Sequence, residues 1–264
     1  VSSPFKGILY PTMLPRFHRV PAPVSVRDLV QWFWIPEWDI EPGRTSRQQL
    51  IAFPTSNLVV QHDNVELAGP TTRVSFQDLT GQGWAVGALL RPAAVHAFTA
   101  DPGSLRDKGI FLAQPELQKG IVSAMGGEIT ARSRTEAVAV FTDWLLNYIP
   151  AISAEALLAN SLMEIIGADP KILLIEDAAM ELSVSPRTLQ RLAKKYIGLS
   201  PSAMIRRRRL QEAADRARTD PGADLARIAA ELGYADQAHL AHDFQKFLGF
   251  TASTYRRTTE QQQH

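Results

Sequence analysis

The feature that most constrains this chain is an internal repeat near its C-terminus. Ile175, Ala178, Ala179 and Leu182 stand at i, i+3, i+4 and i+7, which is one face of a helix. Leu225, Ile228, Ala229 and Leu232 repeat that spacing 50 residues later, with Asp224 placed as an N-cap. Each helix runs into a short turn, Ser183–Ser185 in the first copy and Gly233–Ala235 in the second. A second helix then starts at Ser185–Pro186, or near Asp236. Leu189 and Gly198 match Leu240 and Gly249 at an offset of 51, so the second turn is one residue longer. Two apolar-faced helices joined by such a turn make a helix-turn-helix, and the spacing predicts two of them. Ser200 as N-cap and Pro201 at the first helical position open a longer helix to about Arg218, which joins the units.

A plain helical bundle would account for the Leu and Ala stripes, which hold each unit together. It leaves the outward face of the first unit's second helix unexplained. With Leu189 set at 0° toward the core, Gln190 falls at about 100°, Lys194 at about 140°, Arg187 at about 160° and Arg191 at about 200°. Three cations and an amide share that side, with no carboxylate among them. A solvated face normally mixes signs. Arg and Gln are also the side chains that make bidentate contacts to guanine and adenine edges in the major groove.

The overall charge conceals this. The chain has 264 residues, with 28 Lys and Arg against 27 Asp and Glu, a net charge of +1. Up to Glu164 there are 13 basic and 15 acidic side chains; beyond it there are 15 and 12. Within the second part, Arg187–Arg209 carries eight basic residues and no acid. A near-neutral total predicts modest non-specific attraction to nucleic acid and leaves more of the binding to the few side chains that reach bases.

The first 150 residues have another texture. Short strand-like runs (Gln31–Ile35, Gln49–Phe53, Asn57–Gln61, Val65–Ala68, Thr72–Phe76, Trp84–Leu90) are mostly separated by turn-formers. They predict a mainly β domain, a sandwich or small barrel. Helical spacing takes over at Pro115–Met125, Arg134–Tyr148 and Ala154–Ile166, with a break at Pro150 and an N-cap at Ser153. The expected division is a β-rich domain over 1–150, a helical domain over 151–258 and a polar tail over 259–264. Arg134–Tyr148 is amphipathic, which suits either dimerisation or internal packing.

Residues 154–258 resemble the DNA-binding domain of the AraC/XylS family of bacterial transcription regulators. The matching pieces are Ser185-Pro-Arg-Thr-Leu-Gln-Arg191, Gly198-Leu-Ser-Pro201, Arg209-Leu-Gln-Glu-Ala213, Ile228-Ala229, Gly233-Tyr-Ala-Asp-Gln-Ala-His-Leu240, Phe244 and Thr251-Ala-Ser-Thr-Tyr-Arg-Arg257. The resemblance implies two units on one rigid connecting helix, reading successive major-groove segments about one turn (~34 Å) apart. Carried over by position, it implies base contacts from Arg187, Gln190 and Arg191, and from Gln237, His239 and His242 in the second unit. Backbone contacts would come from Lys194, Lys195, Arg206, Arg207, Lys246, Arg256 and Arg257. Ala193, Met204 and Ala252 depart from the usual Phe, Tyr and Pro, and His242 stands where Arg is common. Ala238 and Ala241 offer no side-chain hydrogen bond, so the first unit is expected to supply most of the base discrimination.

Arg16–Trp38 and Gly83–Ala97 resemble the N-terminal domains of a subgroup of the same regulators, which implies a cupin-like β-barrel with a sensory or dimerising role. Trp32, Trp34 and Trp84, with Trp38, are the candidates to line a small-molecule cavity there, though Trp32 and Trp34 share one strand face and suit an aromatic core better. His62, Asp63 and His96 do not form a cupin metal set, and no metal or cofactor is expected. The absence of Cys excludes disulfides, zinc-thiolate sites and a thiol nucleophile. No Gly-x-Ser-x-Gly, Walker or His-Glu-x-x-His pattern points to an enzyme. The alternative from another class is a small-molecule-binding or catalytic β-barrel with a helical accessory module.

The expected partner is double-stranded promoter or operator DNA. RNA polymerase and a small-molecule effector are compatible further partners, and monomer and homodimer both stay open. Val1–Tyr10 lacks signal-peptide order and Gly83–Phe98 is too short to span a bilayer, so a cytoplasmic protein without membrane contact is expected.

Overall fold

The computed structural model describes residues 16–50, 54–219 and 224–249. Eight strands come first: β1 (Arg16–Pro21), β2 (Val30–Asp39), β3 (Ser46–Leu50), β4 (Asn57–Val60), β5 (Val65–Ala68), β6 (Ser75–Leu79), β7 (Gln82–Trp84) and β8 (Val86–Leu90). A short helix α1 (Pro92–Val95) and a last strand β9 (Gly109–Phe111) lead to α2 (Pro115–Met125) and α3 (Ala131–Tyr148). Among the described residues, the elements after that are helices: α4 (Ala154–Ala168), α5 (Ile175–Glu181), α6 (Pro186–Leu192), α7 (Pro201–Thr219), α8 (Leu225–Glu231) and α9 (Gln237–Leu248).

The main sheet is antiparallel in the order β1-β2-β8-β4-β5-β9, with β7 beside the end of β2, while β3 and β6 pair as a separate ribbon. Alternation along the strands sets its faces. Phe33, Ala88, Leu58 and Leu67 stand opposite one another across four strands. All four are buried, against Leu117 and Ile121 of α2 and Phe141 and Leu145 of α3. The Phe33 and Phe141 rings lie 5.5 Å apart. Burying each of these Leu, Ile and Phe side chains contributes about 1.5–3 kcal/mol, so this layer of sheet on helices is the N-terminal core. Among the described residues the strand order runs from β1 to β9 without returning on itself, so the cupin-like closure is not shown.

The C-terminal helices build two further cores. Leu162 and Ile166 of α4, Ala178 and Ala179 of α5, Leu189 and Leu192 of α6 and Met204 and Ile205 of α7 form one. Leu210, Ala213 and Ala214 of α7 form the other with Ile228, Ala229, Leu240 and Phe244. The α7 helix therefore runs from one helix-turn-helix core into the next.

The β-rich part is joined to the first of these cores. Asn160 of α4 is buried; its amide donates to the Asp28 carbonyl at 2.8 Å and its carbonyl accepts the Ala93 N–H at 2.9 Å. Arg91 pairs with Glu164 at 3.3 Å, and Arg106 donates to the Gly198 carbonyl at 2.8 Å. Gly198 adopts φ 83°, and a Cβ there would lie 2.6 Å from the Pro102 backbone, so only glycine fits. No helix among the described residues is long and apolar enough to cross a membrane.

Candidate nucleic-acid interface

The first unit is assembled by capping. Asp177 accepts the backbone N–H groups of Leu173 and Leu174, fixing the entry to α5. The turn passes through Ser183 at φ 53°. Ser185 then accepts the Thr188 N–H at 3.1 Å with Pro186 behind it, opening α6. Leu189 and Leu192 are buried, and Arg187, Gln190, Arg191 and Lys194 are exposed, as the spacing predicts. A shallow concavity runs along this face, lined by Ser185, Arg187, Thr188, Gln190, Arg191 and Lys194. After Leu192 the helix widens into one π turn, Ala193–Ile197, closed by the Gly198 N–H on the Ala193 carbonyl. Ala193 sits buried in the core, and Tyr196 fills the space beside it.

Sequence reasoning missed one member of this surface. Glu155, in the first turn of α4, accepts from Arg191 on Oε1 and, on Oε2, from Lys195 at 2.5 Å and the Tyr196 hydroxyl at 2.8 Å. Lys195, Arg191 and Tyr196 hold its carboxyl down at about 2. The same contact raises the Lys195 ammonium. Arg187 and Lys194 have no intramolecular partner among the described residues. The acid-free stretch is therefore neutralised at one edge by an acid 32 residues upstream of its start at Arg187.

Its other end is also tied down. Arg206 makes a two-pronged contact with Asp243, at 2.7 Å from Nε and 2.5 Å from Nη2, and its Nη2 lies 3.2 Å from His239 Nε2. Asp243 is fully buried and raises the Arg206 guanidinium. Arg207, expected at a phosphate, is instead turned inward. It is 5% exposed, donates to the Thr71 carbonyl and is pushed down by burial. Its spacing explains this: Arg207 stands three residues after Met204 and three before Leu210, on the buried face of α7. Arg208 likewise donates inward, to the Ile172 carbonyl at 2.9 Å.

In the second unit Asp224 and Asp236 cap α8 and α9, accepting the Ala226 and His239 N–H groups. Gln237, His239 and His242 are exposed along α9, and Lys246 is exposed near its end. His239 packs edge-on against Tyr234 at 5.4 Å. Burial pushes the Tyr234 hydroxyl up, and the Arg209 guanidinium stacks on its ring. Arg256 and Arg257, with the 251–257 motif, lie outside the described residues.

The tryptophans divide. Trp32 is buried under the Arg19 guanidinium, and the Trp34 ring packs against Gly87 with its Nε1 donating to Asn57 at 3.0 Å. Trp84 borders an open groove of about 1220 Å³ with Trp38, Glu37, Asp39, His62 and Glu128. Among the described residues no three His, Asp or Glu side chains gather as a metal would require.

Comparison with known proteins follows the same division. Residues 178–258 match the family described as a helix-turn-helix domain, and residues 18–110 match a domain of unknown function, DUF6597. A search of the curated proteins returned no match. Among solved structures, ToxT from Vibrio cholerae O395 is 10% identical with a TM-score of 0.44, over 86% of this chain and 98% of that one. A second ToxT structure, bound to (E)-4-(8-methylnaphthalen-1-yl)but-3-enoic acid, is 10% identical with a TM-score of 0.43, over 92% and 99%. The AraC-like transcriptional activator CuxR is 14% identical with a TM-score of 0.23, over 76% and 95%. Residues 178–258 therefore carry a helix-turn-helix domain.

Proposed function

We propose that this chain is a DNA-binding transcription regulator of the AraC type and reads its operator chiefly through α6, with Arg187, Gln190 and Arg191 on base edges and Lys194 on a phosphate. The supporting observation is the exposed concavity along that helix, where Arg187 and Lys194 are unpaired among the described residues. An Arg at a guanine edge discriminates by about 1–3 kcal/mol, which a solvated surface residue would not. The α9 helix follows in the next groove segment through Gln237 and His242, with Lys246 on the backbone. His239 is committed to Arg206 and Tyr234 and contributes less.

The functional division falls at 150/151, between α3 and α4. The β-rich part serves as the effector-binding or dimerising half, and its groove beside Trp38 and Trp84 is where a small molecule would sit. No catalytic role is proposed, and the setting is the cytoplasm. Selection of bound duplexes from a random pool tests this reading. A recovered motif with two elements about one helical turn apart supports it. Retention of no sequence above background, or no DNA retention even at low salt, overturns it in favour of a ligand-binding β module with a helical accessory.

A further inference from the structure

The α4 helix precedes both helix-turn-helix pairs and packs into the first core, and its first turn stands beside the exposed face of α6. Its middle is fixed to the β-rich part through buried Asn160, and Glu164 pairs with Arg91 one turn further on. Ser153 caps its start by accepting the Ala156 N–H. Glu155, two residues after that cap, therefore presents its carboxylate from a braced position. The carboxylate is anchored on one oxygen by Lys195 and Tyr196, whose ring is 3% exposed and packs edge-on against His96. The other oxygen takes only Nη1 of Arg191. The Nε and Nη2 donors of Arg191 stay available, and an arginine can contact guanine O6 and N7 in a bidentate manner through that edge.

We propose that Glu155 is a positioning and specificity-determining residue of the DNA interface, orienting Arg191 toward one base pair and withdrawing Lys195 from phosphate contact. A flexible, fully charged Arg191 would serve any phosphate it met. Held by a carboxylate on one side, it loses rotamer freedom before binding and adds less long-range attraction, so sequence-independent binding drops more than cognate binding. The same argument removes Lys195 from the expected backbone contacts. This inference rests on the reading that Arg191 contacts a base.

The test uses the full chain, a duplex recovered by selection and a scrambled duplex of equal length. Glu155→Gln keeps the shape and one acceptor but releases the charge. It is expected to strengthen scrambled-duplex binding about threefold to tenfold and to cut the cognate-to-scrambled ratio about tenfold, with a salt slope steeper by about 1. In an Arg191→Ala background the same change should leave the ratio unmoved. Lys195→Gln, in the wild-type background, should leave the salt slope unchanged, because that ammonium is already engaged. An unchanged ratio in Glu155→Gln, with or without a lower melting temperature, overturns the proposal and leaves only a structural tie. A slope that falls by about 1 in Lys195→Gln overturns it too, since that lysine then sits on a phosphate. If Arg191→Ala weakens cognate and scrambled duplexes equally, the base-reading assignment itself has failed, which is a different result.

Discussion

The two helix-turn-helix units share a spacing and differ in what surrounds it. In the first, α6 is short, continues into a π turn and is bordered by the β-rich part through α4, Arg106 and Gly198. In the second, α9 runs unbroken from Gln237 to Leu248 and leans mainly on α7 and α8. The first keeps its carboxylate at the rim, on Arg191 and Lys195; the second keeps Asp243 inside, on Arg206. The same motif thus places its ionic contacts on the exposed α6 surface in one copy and in the buried core in the other. Repeating a fold element fixes its core stripe and leaves its polar surface free to diverge.

The largest expected effect lies in the second unit. Asp243→Ala strands a guanidinium and removes two charge-assisted hydrogen bonds, costing about 2–4 kcal/mol in urea unfolding. A loss below about 1 kcal/mol would mean that Arg206 finds water easily and that the assembly role of Asp243 is wrong. The difference in recognition is tested next. Arg187→Ala should cost about 1–3 kcal/mol on the cognate site, whereas Gln237→Ala should cost less than about 1 kcal/mol. Equal losses in titrations of the two variants would dissolve the asymmetry.

A smaller effect is expected from Arg207→Met. It replaces a desolvated cation with an unbranched apolar chain, so stability should move by less than about 1.5 kcal/mol and the salt slope of DNA binding not at all. A slope lower by about 1 would return Arg207 to the DNA face.

The smallest effect is in pH. Glu155 has its pKa lowered from 4.5 to about 2, so its contribution to stability is present above 4.5 and lost as pH falls through 2. The stability gap between wild type and Glu155→Gln should stay flat near neutral pH and close toward pH 2. A gap that changes between pH 6 and 8 would assign the effect to another group.

Much of this architecture could be read in advance. Pro115–Met125 and Val65–Ala68 fall where periodicity and punctuation place them, the Ser153 and Asp224 caps form, and the last helix starts beside Asp236 as expected. The β6 strand spans Ser75–Leu79, whereas the sequence pointed to Thr72–Phe76. Its first four residues are exposed, so no burial alternation marks its register. The β1 and β9 strands escaped notice because each lies at an end of the sheet order and neither carries a sustained apolar alternation. Local chemistry made the cations of α6 visible, and the helical period could have revealed the inward turn of Arg207. Glu155 had no such signal. Its neighbours are set by the packing of α4 against the first unit, and a carboxylate in an ordinary first turn looks like a helix-dipole partner.

Gly198 has a consequence for how the two halves can communicate. The turn that ends the first recognition helix rests directly on the Pro102–Gly103 backbone, without even a methyl group between them. Main chain laid on main chain makes a dovetail, which has no compressible filling to absorb a small displacement. A shift in the loop around Pro102 has two outcomes: it carries the end of the recognition helix with it, or it opens the joint.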